Sequence, residues 1–345
     1  MLIPVDNKEG LRVCDSEVEE TTFSDLGLGE KDVEEFLRKN IEVVFDDSET
    51  LLIVGQQVNN AAKGRSDLVA LDENGSIVLI EIKRDIADIR NRREPFEFQA
   101  IRYAASLARI TDPDDLVDRV FVRYIEKHTA EFTQGELTCP ELGKRIVTDF
   151  LQKNNAERTF NQKQRIILLA SNFDEQTLSA VAWLIYNGLD IAAFRITPKK
   201  FQDQIFFDAA RLLPPDDIEE FYVDIATPER HASTRTGITG TRTKLPRMKK
   251  LMEWGLLKPG DTLEIMNQEN SKAEVIDHKR VKYNGQEMSF NEWGQKVTGW
   301  SSICIYEWAR HKGSMKKLSD LRAEKMGEIK KRQEAEDAGD AWQGD

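Results

Sequence analysis

The sequence predicts an α/β protein, with a mixed sheet flanked by helices, followed by a second, small α+β domain. Between Gly64 and Arg84 two apolar runs flank a polar turn, a pattern typical of a β-hairpin. A strand–helix–strand pattern within 165–196 predicts a parallel addition to the same sheet. A stretch rich in Thr, Gly and Arg at 226–243 then precedes a tryptophan-rich segment, so we predict two domains joined by a linker.

The remaining elements follow from hydrophobic periodicity. An amphipathic helix is predicted within 30–41, because its apolar residues recur at helical spacing up to Val44. A strand at 51–58 leads into the hairpin, and a helix containing Gln99 follows it. The later predicted elements are a polar helical region clearest at 142–151, a strand at 165–170, a helix at 175–187 and a strand at 189–196.

Three charged residues interrupt the hairpin, and its turn decides whether they meet. Glu81 and Lys83 share one face of the second strand, because side chains alternate along a strand. A two-residue turn at 74–75 would pair Asp67 with Ile82, which lies on the other face. A three-residue loop with Gly75 in the left-handed conformation pairs Asp67 with Glu81 instead. We predict the three-residue loop.

This register places two carboxylates side by side with an ammonium group next to them. Like-charge repulsion disfavours such a pair unless a cation lies between its members, and a hard divalent ion such as Mg²⁺ suits oxygen ligands. The alternative is a set of surface charges on an edge hairpin. Against it, apolar residues occupy both faces of the strands, so the charges are predicted to be buried and to need a partner.

Asp67, thirteen intervening residues and then Glu81-Ile82-Lys83 resemble the signature of the PD-(D/E)XK nucleases, with Ser66 before the aspartate where that family often has proline. The resemblance implies a restriction-endonuclease-like fold. It also implies that Asp67 and Glu81, with the main-chain carbonyl of Ile82, hold one or two Mg²⁺ or Mn²⁺ ions, and that Lys83 orients or activates water.

Two flanking features extend the resemblance. The family carries an acidic residue on the preceding helix; at roughly 100° per residue Glu34 lies at the margin of the apolar stripe and Glu35 points away, so Glu34 is the candidate ligand. An ordinary solvated carboxylate is the alternative. Downstream, Gln99 and Tyr103 match a Gln-x-x-x-Tyr motif of RecB-like members and lie on one helix face, where both could reach a phosphate or base.

The run from Glu30 to Tyr103 is similar to the catalytic domain of NucS-type mismatch endonucleases. The chain has no obvious equivalent of the NucS N-terminal domain. Mismatch specificity therefore does not follow from this similarity.

Composition limits the classes of function. The chain has 345 residues and a formal net charge of −12. The chain has no run of about 18 apolar residues, so no membrane span is predicted. Its N-terminus is charged, so no signal peptide is predicted, and we expect a cytoplasmic protein. Three cysteines far apart indicate reduced thiols, and the four histidines lack the spacing of a zinc site.

Basic residues gather in two places on this acidic chain. Residues 83–109 contain seven basic and four acidic side chains, and residues 231–250 contain six basic side chains and no acidic one. Contact with DNA phosphates depends largely on Lys and Arg, so these patches predict defined contacts. A flexible linker is the alternative for the second patch. The candidate DNA-binding residues are Arg84, Arg102, Arg242, Lys244 and Arg247.

The predicted organisation is a nuclease-like domain at 1–222, a linker at 223–243, a second domain at 244–322 and a charged tail at 323–345. The second domain holds Trp254, Trp293, Trp300 and Trp308 and resembles the RAMA domain, which implies binding of DNA, including modified DNA. Trp300 is the candidate for stacking on a base. The alternative is that most of these tryptophans anchor the core of a small domain.

Together these features predict a divalent-metal-dependent endonuclease acting on double-stranded DNA in restriction or phage defence, with the second domain selecting the DNA. Two alternatives stay open: a catalytically silent DNA-binding module, and a DNA-repair endonuclease of the mismatch type. RNA as a substrate is a further alternative, since phosphodiester hydrolysis follows the same chemistry. Cutting both strands with a single active site would favour a homodimer.

Overall fold

The computed structural model describes residues 5–6, 12–13, 18–45, 49–59, 64–91, 94–133, 135–215 and 245–340. The predicted linker at 223–243, with Arg242, and the neighbouring Lys244 lie outside these ranges. Contacts divide the chain into one unit of residues 1–46 and 51–242 and a second of residues 47–50 and 243–345. Both units combine helices with a sheet, and the predicted α/β class is confirmed.

The first unit alternates strands and helices along most of its length. Its elements are β1 (Val5–Asp6), β2 (Arg12–Val13), β3 (Glu19–Glu20), α1 (Glu30–Lys39), α2 (Glu42–Phe45), β4 (Leu51–Asn59), β5 (Arg65–Asp72), β6 (Ile77–Lys83), α3 (Ile86–Arg90), α4 (Phe96–Leu107), α5 (Pro113–Leu116), a π-helical turn (Val117–Phe121), α6 (Val122–Lys127), a 3₁₀ turn (Thr129–Glu131), α7 (Cys139–Lys153), β7 (Gln164–Ala170), α8 (Glu175–Tyr186), β8 (Ile191–Phe201) and β9 (Gln204–Leu213).

The main sheet is mixed, as predicted. In the described residues it has seven strands in the order β3-β8-β7-β6-β5-β4, with β9 pairing along β8. β4, β5 and β6 pair antiparallel, whereas β6, β7 and β8 pair parallel. The predicted parallel addition of a strand–helix–strand unit is therefore confirmed. The sequence did not predict the long antiparallel strand β9.

The hairpin of β5 and β6 has the predicted register. Val69 pairs with Leu79 and Leu71 pairs with Ile77. Gly75 has φ +80° and its amide donates to the carbonyl of Asp72, so the three-residue loop is confirmed. A side chain at Gly75 would meet the carbonyl of Ala156 at 2.8 Å, and glycine is needed there for space as well as for conformation.

β6 lies inside the sheet and is buried along its whole length. α1 packs on β5 and β6, and α4 packs on β5, β6 and β7. Since the strand is covered, every charged side chain on it must be satisfied by the protein or by a ligand. The hairpin therefore carries its charges into a buried environment.

β4 contains an irregularity that was not predicted. Its register against β5 shifts between Ile53 and Gly55, and Gln57 has φ +53°, in the left-handed region. A side chain at Gly55 would lie 2.7 Å from Val120 in the π-helical turn, so this turn packs directly against the irregular part of the strand. Gln56 still pairs with Leu68, whereas Gln57 leaves the regular strand geometry.

The second unit is built on an antiparallel sheet. Its elements are α9 (Met248–Glu253), β10 (Thr262–Ile265), β11 (Ala273–Val275), β12 (Arg280–Tyr283), β13 (Gln286–Ser289), α10 (Phe290–Thr298), α11 (Ile305–Trp308), β14 (Ala309–His311), β15 (Lys316–Lys317) and α12 (Leu318–Asp340). The strands have the order β13-β12-β11-β10-β14-β15. Glu49 groups with this unit because its carbonyl accepts a hydrogen bond from the Ser302 hydroxyl. The predicted charged tail begins within α12.

Tryptophans anchor the core of the second unit. Trp293 is fully buried and its indole N–H donates to the carbonyl of Ser271 at 2.9 Å. Trp300 is 5% exposed and packs edge-on against Trp308, with 4.8 Å between the ring centroids. These three side chains are core anchors, which was the alternative considered for them.

None of the described helices combines the length and the apolar content that crossing a bilayer requires.

Candidate active site

Asp67 lies one residue before Leu68, which forms the end pair of the β5–β6 ladder with Ile80. Its Oδ2 atom accepts a hydrogen bond of 2.8 Å from the main-chain N–H of Ile82. The side chain is almost fully buried, with 12% of it exposed. The carboxylate is therefore held in place by the neighbouring strand at the point where the ladder opens.

Lys83 is buried next to this carboxylate. Its Nζ atom donates to the carbonyl of Ile82 at 2.6 Å and to Glu30 at 3.1 Å, and it lies 4.0 Å from Oδ2 of Asp67. The ammonium group also lies 5.8 Å from the centre of the Phe96 ring. Lys83 thus has three anionic or carbonyl oxygens within about 4 Å, all from different residues.

The electrostatics of the site are set by burial. Desolvation raises the pKa of Asp67 from 3.8 to about 6, although Lys83 and the Ile82 N–H oppose the shift. Glu30 and Glu34 raise the pKa of Asp67 further, because their negative charges are close to it. One lysine therefore does not balance the carboxylates gathered here.

Glu34 is buried, as the position of the apolar stripe predicted, whereas Glu35 is partly exposed and pairs with Arg38, with its Oε2 atom 3.4 Å from the Gln56 amide. The two carboxylate oxygens of Glu34 accept from the side-chain amides of Gln56 at 2.7 Å and Gln57 at 3.1 Å. Both glutamines come from the irregular part of β4. Strand β4 therefore holds the carboxylate of Glu34, the residue that helical periodicity predicted as the candidate ligand.

Gln56 is itself fixed by two basic side chains. Its Oε1 atom accepts from Nζ of Lys127 at 2.7 Å and lies 2.9 Å from Nε2 of His128. With these partners on the oxygen, the amide N–H₂ group must face Glu34. The orientation of the Glu34 carboxylate thus depends on a chain of contacts that runs outward to α6.

Glu81 is fully buried on β6, where it pairs with Leu168 of β7. Strand alternation places it on the same face as Lys83, two residues away. With the register confirmed up to Ile80, Asp67 and Glu81 come from facing positions of adjacent strands. The hairpin thus brings Asp67, Glu81 and Lys83 to one region, and α1 adds Glu30 and Glu34.

The Gln99–Tyr103 pair lies at the start of β5. The Gln99 amide donates to the hydroxyl of Tyr103 at 3.2 Å, and the same hydroxyl accepts from the main-chain N–H of Arg65 at 3.1 Å. Arg65 is two residues before Asp67. The pair therefore supports the strand that carries Asp67.

The predicted DNA-binding residues have different surroundings. Arg84 is engaged by Asp85 and Asp88, and Arg102 is paired with Glu94. Arg247 is exposed immediately before α9. Trp300 is buried, so stacking on a base would require the second unit to open.

The residues fit a hard divalent cation in charge and in donor type. Asp67, Glu81, Glu34 and Glu30 supply carboxylate oxygens in excess of the positive charge of Lys83. In position they are not gathered around one point: the described residues contain no group of three or more His, Cys, Asp or Glu side chains arranged to hold a metal ion. Each oxygen of Glu34 and the Ile82 carbonyl oxygen has a second lone pair, so the hydrogen bonds from the glutamines and from Lys83 can orient these oxygens as ligands.

Glu30, Gln56 and Gln57 were not identified from the sequence. A signal existed for Glu30, because it lies four residues before Glu34 and therefore on the same face of α1. No local signal exists for the glutamines, since their contact with Glu34 depends on the register shift in β4.

A scan of protein-family models, a search of curated proteins and a search of solved structures each found no match to this chain.

Proposed function

We propose that this protein is a divalent-metal-dependent endonuclease that hydrolyses phosphodiester bonds in DNA. The observation that carries the proposal is the buried Asp67 carboxylate: burial raises its pKa to about 6 even though Lys83 lies 4.0 Å away, and the charges of Glu30 and Glu34 add to the shift. A strongly perturbed pKa with a specific charged partner is typical of a catalytic site. Carboxylates on a strand next to a buried lysine are also the pattern that resembles the PD-(D/E)XK signature.

The residues have distinct roles in this proposal. Asp67, Glu81 and Glu34, with the Ile82 carbonyl, would hold Mg²⁺ or Mn²⁺. When bound, the ion supplies a water of lowered pKa and offsets the charge that develops on the scissile phosphate. Lys83 would orient the attacking water or the phosphate with its ammonium group, while Glu30 keeps that group in position at 3.1 Å. Gln99 and Tyr103 would steady β5 beneath Asp67.

The second unit would choose the DNA. Arg247, exposed just before α9, is the candidate described there for a phosphate contact. The resemblance of this unit to a RAMA domain supports modified DNA as the ligand and restriction or phage defence as the setting. A cytoplasmic location and a homodimer that cuts both strands belong to the same proposal; sedimentation of the full chain with and without DNA tests the dimer.

One observation favours a second function, a DNA-binding module without turnover. The Asp67 Oδ2 and Ile82 carbonyl oxygens, two of the candidate ligand atoms, already accept hydrogen bonds within the site, and Glu34 is held by two glutamines. A fold that binds DNA without a metal ion would keep such contacts. The distinction is measurable, because only cleavage needs the metal site.

The test is cleavage of matched plain and base-modified duplexes with Mg²⁺ or Mn²⁺, for the wild type and the Asp67→Asn variant. Asp72→Asn is the matched control: Asp72 is buried on the same strand, and its Oδ1 atom, which caps the turn, is retained by asparagine. We expect cleavage by the wild type and by Asp72→Asn, and none by Asp67→Asn. If all three proteins bind DNA equally and none cleaves it, the nuclease proposal is wrong and the second function, a DNA-binding module, is supported.

A further inference from the structure

A cavity lies at the carboxyl ends of the parallel strands β6 and β7. It has a volume of about 700 Å³ and lies between α3, the start of α4 and the start of α8. Its wall includes Phe96, Glu97, Asn172, Phe173 and Gln176. Crevices at the carboxyl ends of parallel strands are a usual place for ligands in α/β folds.

Glu97 is the unusual group in this wall. It is 5% exposed, and its Oε2 atom has no hydrogen-bond partner among the described residues. Leaving a buried carboxylate oxygen unsatisfied is costly, so such an atom in the wall of a cavity points to a ligand that donates an N–H or O–H group.

The other carboxylates around the cavity have partners or lie at its rim. Asp174 caps α8, accepting from the amide of Thr177 at 2.8 Å and from its hydroxyl at 3.3 Å. Glu94 is paired with Arg102, and Glu175 is exposed. Glu97 is therefore the buried acceptor that this wall offers to a ligand.

The charge of the wall restricts the ligand. Among its described residues there are four carboxylates, on Glu94, Glu97, Asp174 and Glu175, against one guanidinium, on Arg90. Glu94 is already paired with Arg102 and Asp174 caps α8, so Glu97 and Glu175 are the described carboxylates left to act on a ligand, and they favour an uncharged or cationic group over a phosphate. The part of the ligand that enters must be uncharged or cationic and must carry hydrogen-bond donors.

The cavity is next to the candidate active site. Phe96, which lines it, is the same ring that lies 5.8 Å from Nζ of Lys83. A polynucleotide bound with a phosphate at Lys83 would have its neighbouring nucleoside within reach of this cavity. Within DNA the groups that donate N–H bonds without carrying a negative charge are the bases.

We infer that this cavity binds a nucleobase with an exocyclic amino group, extruded from its stack beside the cleaved phosphate and recognised by the Glu97 carboxylate. The choice of a nucleobase rests on the proposed nuclease function. Adenine, cytosine and guanine each donate from an amino group, and guanine also donates from N1. Thymine has no amino group, and its N3–H is flanked by two carbonyl oxygens that a carboxylate repels. The cavity therefore disfavours thymine.

The experiment measures binding of free mononucleotides to the full-length chain in EDTA by calorimetry, so that no cleavage is involved. The probes are dAMP, dCMP, dGMP, dTMP and 2-deoxyribose 5-phosphate, with spermidine as a simple cation. We expect the three amino-bearing nucleotides to bind roughly tenfold or more tightly than dTMP or the sugar phosphate, since a charge-assisted hydrogen bond has about that effect.

Glu97→Met removes the acceptor and keeps an apolar side chain of similar length. It should abolish the preference over dTMP, and it should raise Tm, because the variant no longer buries an unsatisfied carboxylate. Glu97→Gln provides a second variant of more conservative shape, which should weaken dGMP most because a carboxylate can accept two bonds from guanine. Glu157→Gln, at an exposed acidic residue outside the cavity, is the control for charge and should leave binding and Tm unchanged.

Several results would overturn the inference. These are equal binding of dTMP and the amino-bearing nucleotides, an unchanged preference in Glu97→Met, no binding of any nucleotide at millimolar concentration, or binding of spermidine alone. The last would identify a simple cation site. These titrations need no metal, so the two proposals can fail separately. If the protein cuts DNA but its titrations show no base preference, only the cavity inference is wrong. If it prefers amino-bearing bases but never cuts DNA, only the proposed nuclease function is wrong.

Discussion

Helix α1 contributes to two clusters of buried charge, and the two behave in opposite ways. On one side, Glu30 and Glu34 adjoin Asp67 and Lys83. On the other, Arg38 is buried with 2% of its side chain exposed, while its partners Glu35 and Glu131 remain 39% and 44% exposed. The comparison separates buried charges that are satisfied from buried charges that are left in excess.

In the Arg38 cluster, pairing outweighs burial. The guanidinium donates two hydrogen bonds to Glu35, two to Glu131 and one to Tyr124, each between 2.7 and 2.8 Å. Hydrogen bonds from Arg38 lower the pKa of Glu35 to about 2 and also lower that of Glu131. Every donor of the arginine fork therefore has an acceptor, which is typical of a structural ion pair.

In the Asp67 cluster, burial outweighs pairing. Desolvation is the largest influence on Asp67 and raises its pKa to about 6, even though Lys83 lies 4.0 Å away. A protein does not gain stability by keeping this arrangement, so the excess of carboxylate suggests a functional reason. The difference between the clusters is that pairing lowers the pKa of the acids around Arg38, whereas burial, with smaller contributions from Glu30 and Glu34, raises the pKa of Asp67 and marks the candidate site.

The largest expected effect is on cleavage. Asp67→Asn should lower the rate of cleavage by about a thousandfold or more, because it removes a charge that the reaction needs. Arg38→Met should lower the rate far less once the protein is held at a temperature where it stays folded. Single-turnover rates of both variants measure this contrast. A similar loss of rate in both would erase the distinction between the clusters.

The next effect is on stability. Arg38→Met should reduce the free energy of unfolding by about 3 kcal/mol, since it removes the shared partner of two carboxylates and the Tyr124 hydroxyl. Urea unfolding followed by circular dichroism measures the change. Arg158→Met, at an exposed arginine, is the control and should change stability by less than about 0.5 kcal/mol. A loss in the Arg38 variant no larger than in the control would contradict this prediction.

The third effect is a dependence of stability on pH in EDTA. The pKa of Asp67 is raised above its ordinary value of 3.8, so the folded chain holds that proton more tightly than the unfolded chain. The resulting stabilisation is complete below about pH 4 and is lost as pH rises through about 6, with a total change of about 3 kcal/mol.

Asp67→Asn should remove this dependence, and unfolding in urea at pH 4, 5, 6 and 7.5 measures it. Glu35 provides the opposite sign: its pKa is lowered from 4.5 to about 2, so its contribution is present above about pH 4.5 and disappears as pH falls toward 2. A wild-type curve parallel to that of Asp67→Asn between pH 4 and 7.5 would refute the assignment of excess charge to Asp67.

The smallest effect concerns Gln56, which orients Glu34. Gln56→Met should weaken Mn²⁺ binding by about 10- to 100-fold, the usual cost of losing a residue that supports a metal ligand, and should change Tm little. Calorimetric titration of Mn²⁺ measures this, and Gln162→Met at an exposed glutamine is the control. Unchanged Mn²⁺ affinity with a lowered Tm would show that Gln56 supports only the fold.

Much of the hairpin could be predicted from local sequence. Alternation along β6 placed Glu81 and Lys83 on one face, and the need to bring Asp67 to that face selected the three-residue loop that Gly75 now forms. Helical periodicity likewise preferred Glu34 over Glu35, and Glu34 is the buried one. These inferences succeeded because they depend on periods of two and about 3.6 residues, which belong to the chain itself.

Other features depended on packing between distant parts of the chain. The contact of Glu30 with Lys83 spans 53 positions, and that of Arg38 with Glu131 spans 93. The glutamines that hold Glu34 reach it through an irregular register in β4, which packs against the π-helical turn. The burial of Trp300 was likewise decided by its packing on Trp308.

The sequence by itself therefore determined the fold class, the hairpin register and the carboxylates that share its face. Only the tertiary structure decided which buried charges are balanced. It also decided that Lys83 donates to Glu30, that Gln56 donates to Glu34, and that a cavity lined by Glu97 and Phe96 lies next to the site. The reason is physical. Periodicity fixes the side of an element on which a residue lies, whereas desolvation and pairing depend on what the docking of other elements brings against that side.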